Sequence, residues 1–234
     1  HSRPPLPPMN FRNKLLWLPL TGGLALFGSA PAAGTTAAAK FPGYVVDEVV
    51  VPVPSEIFAV LDKLGSPNWK DEVRKTKLPD STDRMELSLI FGVVVAEGFV
   101  AVQAQDKQAV EDIGRDVVNL SKKLALGKSV TQHAQSILDA AKINDWKAVR
   151  KELDLTQATV RSEMDRLRDG DLAQCVSLGG WLRGTASVTS VVNKNYTQDR
   201  AELLNQPLLA EHFSKAMASM SEGARNNKLV SEIN

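Results

Sequence analysis

Few residues in this chain could do chemistry, and two of them are isolated charges. Glu97 is the sole ionic residue between Leu87 and Gln105, and Arg183 the sole one between Leu172 and Val192. A charge in apolar surroundings is costly unless it is paired and hydrogen-bonded. Opposite signs on the two most apolar stretches therefore predict that those stretches meet. Three arrangements satisfy the physics. Glu97 and Arg183 form a buried bridge that fixes register. Alternatively, the long side chains carry one or both charges to solvent at a rim. In the third, Arg183 beside Trp181 holds an anionic ligand in a pocket that also includes Glu97.

Other constellations are missing from the sequence. Beyond the first residue the histidines are His133 and His212, and neither has metal-ligand or di-iron spacing to a second histidine or a glutamate. There is no haem-attachment motif, no phosphate loop and no Gly-x-Ser-x-Gly elbow. No catalytic residue, metal site or cofactor is assigned on these patterns. An enzyme would need carboxylates, or His133 and His212, to converge in a cleft.

The two apolar stretches must position the lone charges. Read as a helix, Leu172–Val192 places Ala173, Ser177, Gly180, Gly184, Ser187 and Val191 on one stripe. Glycines 179, 180 and 184 each cost about 1 kcal/mol against alanine in a helix. Close approach of a second helix would offset that. The counterpart is Asp83–Gln105, where Ser88, Gly92 and Ala96 form a second small stripe. The expected packing seam is Gly180, Gly184 and Ser187 against Ser88, Gly92 and Ala96. Small residues at this spacing also pair helices in a bilayer. Glu86, Glu97 and Gln103, and the charged helices on either side, favour a soluble bundle.

Those flanking helices are legible in the periodicity. Val110, Ile113, Val117, Leu120 and Leu124 recur at helical spacing within 106–126, and 129–143, 146–168 and 199–221 follow the same rule. A short helix starts at Ser55, and a second is expected over Asn68–Lys75. Pro207 is expected to break or kink the last long helix. The connections are short, so successive helices should run antiparallel. The fold class is all-α: a single-domain bundle of about six to eight helices around two apolar central ones. Before it, Phe41–Pro54 is valine- and proline-rich and reads as an extended arm with no second strand to pair with.

The N-terminal region reads as an export leader. Residues 1–8 are a proline-rich unstructured extension, and 9–32 resemble a signal peptide. Arg12 and Lys14 precede the apolar run Leu15–Phe27, and Ala30-Pro31-Ala32 offers a cleavage site. Residues 33–54 are linker and arm, 55–221 the helical domain, and 222–234 a polar tail that frays. An uncleaved leader anchoring the chain to the inner membrane is the alternative.

Of 28 Lys and Arg, three precede the cleavage site, which leaves 25 against 27 Asp and Glu. A net charge of −2 with mixed signs gives no electrostatic case for nucleic acid or an acidic membrane surface. Cys175, the single cysteine, lies in an apolar stretch and is expected to be a buried, inert thiol. The expected function is an exported, non-enzymatic structural or protein-interaction module of the cell envelope, periplasmic or extracellular. A protein partner is possible, and no membrane insertion of the mature domain is expected. The alternative is a periplasmic small-molecule-binding bundle with an anionic-ligand pocket near Arg183.

Overall fold

The structure is a computed structural model that describes residues 44–46, 49–51, 54–167 and 170–233. The leader and linker readings over residues 1–43 lie outside the described residues. The order is a short hairpin, β1 (Tyr44–Val46) and β2 (Val49–Val51), then α1 (Pro54–Lys63), a 3-10 turn (Trp69–Glu72), α2 (Arg84–Gln103), α3 (Lys107–Lys123), α4 (Lys128–Lys142), α5 (Trp146–Leu167) and α6 (Gly170–Lys194). After these come α7 (Gln198–Ala201), a 3-10 turn (Glu202–Leu204), α8 (Pro207–Ser219), α9 (Glu222–Arg225) and α10 (Lys228–Ile233). The body is all-α, and seven of its helices have ten residues or more.

The extended arm differs from expectation in one respect. Its two valine runs pair with each other, Tyr44 opposite Val51 and Val46 opposite Val49, antiparallel. A single stretch thus supplies both strands, and β2 lies against α6.

Three successive turns share one geometry. Gln105, Ala125 and Asn144 each take a positive φ, between 51° and 61°, just past a helix end. The next residue's N–H bonds back to a carbonyl in the last helical turn: Asp106 to Ala101, Leu126 to Ser121 and Asp145 to Ala140. This is the Schellman closure that glycine ordinarily serves. Asp106 and Asp145 then cap the next helix, accepting from the N–H of Ala109 and Ala148. Ala125, at positive φ, ends α3, and Gly127 is the N-cap of α4.

Four short connections make α2 to α6 alternate in direction, which leaves α2 and α6 parallel. They form the most extensive helix pair. The crossing is backbone to backbone. A Cβ on Gly92 would collide with the carbonyl oxygen of Val176 and come within 2.8 Å of Gly180 N. A Cβ on Gly179 would collide with the carbonyl oxygen of Leu89. A Cβ on Gly180 would lie 3.6 Å from the Gly92 oxygen, an ordinary contact, whereas at Gly184 a Cβ would meet nothing within 4 Å. The close approach therefore falls on Gly92, which the stripe read from the sequence includes, and on Gly179, one residue off the stripe on the other helix, and Gly184 is not part of it. Ser88 and Ser187 are fully buried, and Ala96 is partly exposed.

Around this pair, Leu87, Phe91 and Val94 pack on Leu120 and Leu124 of α3. Arg150 of α5 ties in α1 and α2, bridging to Asp62 at 3.1 Å, donating to Gln103 at 2.7 Å and lying over the Phe58 ring. Pro207 is the first residue of a new helix rather than a kink. The 68–75 segment makes only one 3-10 turn. Residues 222–233 do not fray. Ala224 and Val230 are buried with Cys175, Leu178 and Phe213, and Ser221 and Asn227 bond to Asp171 and Asp83. The second aspartate is the N-cap of α2. By length and composition α2 could cross a membrane, but 67% of its most apolar window is buried inside the bundle.

Thermal melts of glycine variants test the crossing. Gly179→Ala and Gly92→Ala are expected to destabilise by about 1–3 kcal/mol through overpacking of backbone. Gly184→Ala is expected to stabilise by roughly 0.5–1 kcal/mol, since it meets only open space.

Candidate functional site: a buried ionic lattice and an uncharged cavity

Glu97 sits midway along α2 and Arg183 midway along α6. The parallel crossing at Gly92 and Gly179 sets them side by side, one turn further along each helix. Arg183 Nε donates to Glu97 Oε2 at 2.5 Å, with Arg183 7% and Glu97 1% exposed. A pair this buried is stable only when its remaining polar atoms find partners, and here each Arg183 nitrogen and each Glu97 oxygen has one. Arg183 Nη1 donates to Ser187 Oγ, and Nη2 donates to the Glu72 carbonyl at 2.7 Å. The Arg74 backbone N–H donates to Glu97 Oε1.

The 3-10 turn Trp69–Glu72 thus plugs into the helix pair. Its Glu72 side chain is also buried and meets Lys194 Nζ, at the end of α6, at 2.5 Å. Burial works against the Glu72 carboxylate. Hydrogen bonds from Lys194 and Ser190, with the charges of Lys194 and Arg74, outweigh it and hold the group below the ordinary carboxylate range. Nothing in the spacing of residues marks Glu72, Arg74 or Lys194 as members of this lattice. Their charges look like ordinary surface charges until the turn is docked.

Arg183 therefore has its Nε, Nη1 and Nη2 all committed within the protein. Neither it nor Glu97 lines the cavity nearby, and the anionic-ligand expectation loses its cation. Trp181 does line that cavity. Its indole N–H donates to Gln206 Oε1 at 3.0 Å, and its ring stacks on Phe213 with centroids 5.0 Å apart.

The cavity has a volume of about 250 Å³ and lies among α2, α3, α4 and α6, closed by parts of α1, α5 and α8. Apolar side chains such as Phe91, Phe99, Val110, Ile113, Ile137 and Leu153 form most of the wall. Gly98, Gly114, Gly180 and Gly184 are among the lining residues, and of these only Gly184 would carry a Cβ into open space. No Asp, Glu, Lys, Arg, His, Cys or Tyr is among the lining residues.

The histidines are not brought together. His133 on α4 contacts Glu152 at 2.7 Å and Thr159 at 2.8 Å, both on α5. His212 on α8 stands edge-on to Phe213. A Thr–His–Glu chain has the residue types of an acyl-transfer triad. Thr159, however, lies inside α5, where backbone N–H groups are taken up in the helix and supply no oxyanion hole. Among the described residues no group of three or more His, Cys, Asp or Glu could hold a metal ion. Cys175 is buried.

No known protein family, no curated protein and no solved structure matches this chain.

Urea unfolding of paired variants tests the lattice. Glu97→Leu and Arg183→Met are each expected to cost about 3–5 kcal/mol, because each strands a buried charge. The double variant is expected to recover most of that loss. Acid sensitivity follows from Glu72. Its folded-state value lies below the ordinary 4.5, so the unfolded chain binds the extra proton. The stabilisation is full above pH 4.5 and is lost as pH falls through the lower folded value. Melting temperatures across that range are expected to drop less steeply for Glu72→Gln than for the unaltered protein.

Proposed function

We propose that this chain is a non-enzymatic binding module that holds a small apolar molecule inside its helical bundle. The single observation that carries the reading is the cavity: about 250 Å³, walled by apolar side chains and free of titratable ones. Protein interiors are close-packed, and voids larger than a water are few. An apolar cavity of roughly 150 Å³ is enough to take up benzene, so this one has room for about a dozen non-hydrogen atoms. Such a space costs stability through lost dispersion contacts. Gly184 borders it, and a Cβ there would meet nothing within 4 Å, so part of the room comes from the chain's own residue choice.

The leader-like segment 9–32 supports placing the protein outside the cytoplasm, where apolar solutes need carriers or sensors. The reading as a protein-interaction module has less support. Among the described residues the large exposed apolar side chains, Ile143, Leu155, Leu182, Tyr196 and Leu208, are five in number and spread along the sequence, and scattered single exposed apolar residues are normal on a surface.

Calorimetric titration of the full chain with naphthalene tests the proposal, with Trp181 emission as a second readout. The unaltered protein is expected to bind with a dissociation constant in the micromolar range or tighter. Gly184→Leu projects into the open space at that position and is expected to keep the fold while weakening binding at least tenfold. Failure of the unaltered protein to bind any apolar probe would sink the reading.

A further inference from the structure

We infer that the cavity takes one extended, unbranched hydrocarbon chain of about a dozen carbons; this rests on the cavity being a binding site. The space is long rather than round. On α2 its wall runs from Phe91 to Val102, and on the parallel α6 from Val176 to Val188. At the helical rise these stretches are about 16 Å and about 18 Å long. A round space of about 250 Å³ would be roughly 8 Å across and would meet only about a turn and a half of each helix. The two ends also lie in different parts of the core. Phe91, Val117 and Val176 pack in one apolar cluster and Leu61, Val102 and Val188 in another, and all six line the cavity.

Length and volume then set the occupant. An extended chain of tetrahedral carbons advances roughly 1.25 Å per carbon, so a path of about 16 Å takes about thirteen. The volume, with room for about a dozen non-hydrogen atoms, admits nearly the same number. The two agree for atoms in single file. Branches or fused rings would crowd one part of such a tube and leave the rest empty, forfeiting contacts with its wall. Gly184 lies on this path. Val176 to Gly184 covers about 12 Å of it, and Gly184 to Val188 about 6 Å. A Cβ at position 184 would meet nothing within 4 Å. Gly184→Leu therefore divides the tube and leaves a longer segment that takes about eight carbons.

The test titrates the full chain, unaltered and as Gly184→Leu, with the even 1-alkanols from 1-hexanol to 1-tetradecanol and with the matching alkanoates, read by tryptophan emission. 1-Adamantanol, which has the carbon count of 1-decanol in a round cage, is the shape control. Affinity of the unaltered protein is expected to rise about three- to fourfold per methylene up to 1-dodecanol and no further at 1-tetradecanol. 1-Decanol is expected to bind at least about tenfold more tightly than 1-adamantanol. Gly184→Leu is expected to move the break to 1-octanol while leaving 1-hexanol within about threefold. A break at dodecyl length in the alkanols, the alkanoates or both supports the chain-shaped space and identifies the end group as alcohol, acid or either. Affinity that climbs steadily through 1-tetradecanol, tighter binding of 1-adamantanol than of 1-decanol, or an unmoved break in Gly184→Leu overturns it. If naphthalene still binds in that case, the cavity reading survives. If neither naphthalene nor any member of the two series binds, the chain and the binding site are both overturned.

Discussion

The backbone contact between α2 and α6 is the constraint on which the rest of the molecule depends. Two helices whose glycines, Gly92 and Gly179, face each other's carbonyls come closer than side chains would allow. That approach fixes both the axial register and the rotation of each helix. Once they are fixed, Glu97 and Arg183 have no route to water and must satisfy each other. The bridge is thus a consequence of the crossing, and it is also a penalty on every other register. A shift by one residue would bury two unpaired charges. This use of a buried ion pair, to specify rather than to stabilise, is the best-supported role for such pairs.

The lattice also recruits the chain outside the two helices. Arg183 reaches the carbonyl of Glu72, Glu97 accepts from the N–H of Arg74, and Lys194 takes the Glu72 side chain. A segment with barely one turn of regular structure is therefore held by charge-assisted bonds. At the other end, α8 to α10 cover Cys175 and Leu178, with Asp83 and Asp171 accepting from Asn227 and Ser221. The polar residues of the C-terminal segment form links to the bundle as well as a solvated surface.

Close approach at one place leaves space at another. Where α2 and α6 touch, glycine permits contact; further along α6, Gly184 faces nothing, and the surrounding helices stand back to leave the cavity. The same residue type thus serves two opposite ends on one helix. The wall of that cavity is uncharged because the one cation on α6 near it, Arg183, is turned away into the lattice. The bridge that fixes register also keeps the Arg183 charge out of the cavity wall.

The sequence alone determined the helical periods of α2 to α6, their alternation through short turns, and the association of the two apolar stretches, because all three follow from local patterns and from the cost of isolated charges. It marked Glu97, Arg183 and Trp181 and offered the buried Glu97–Arg183 bridge as one of three arrangements, and the structure selects that one. Helical stripes from Ala173 or from Gly179 are equally consistent with the spacing, and only the partner helix selects between them. Gln105 and Ala125 end helices without a glycine, so their turns were invisible until the neighbouring helices imposed them. Glu72 and Arg74 are far from Arg183 in sequence and reach it, and Lys194 at the end of the same helix, only on docking. The cavity exists in no segment; it is the volume left among elements that cannot all pack at once. Register, partner choice and empty space are properties of three-dimensional assembly, and the tertiary structure alone decided them.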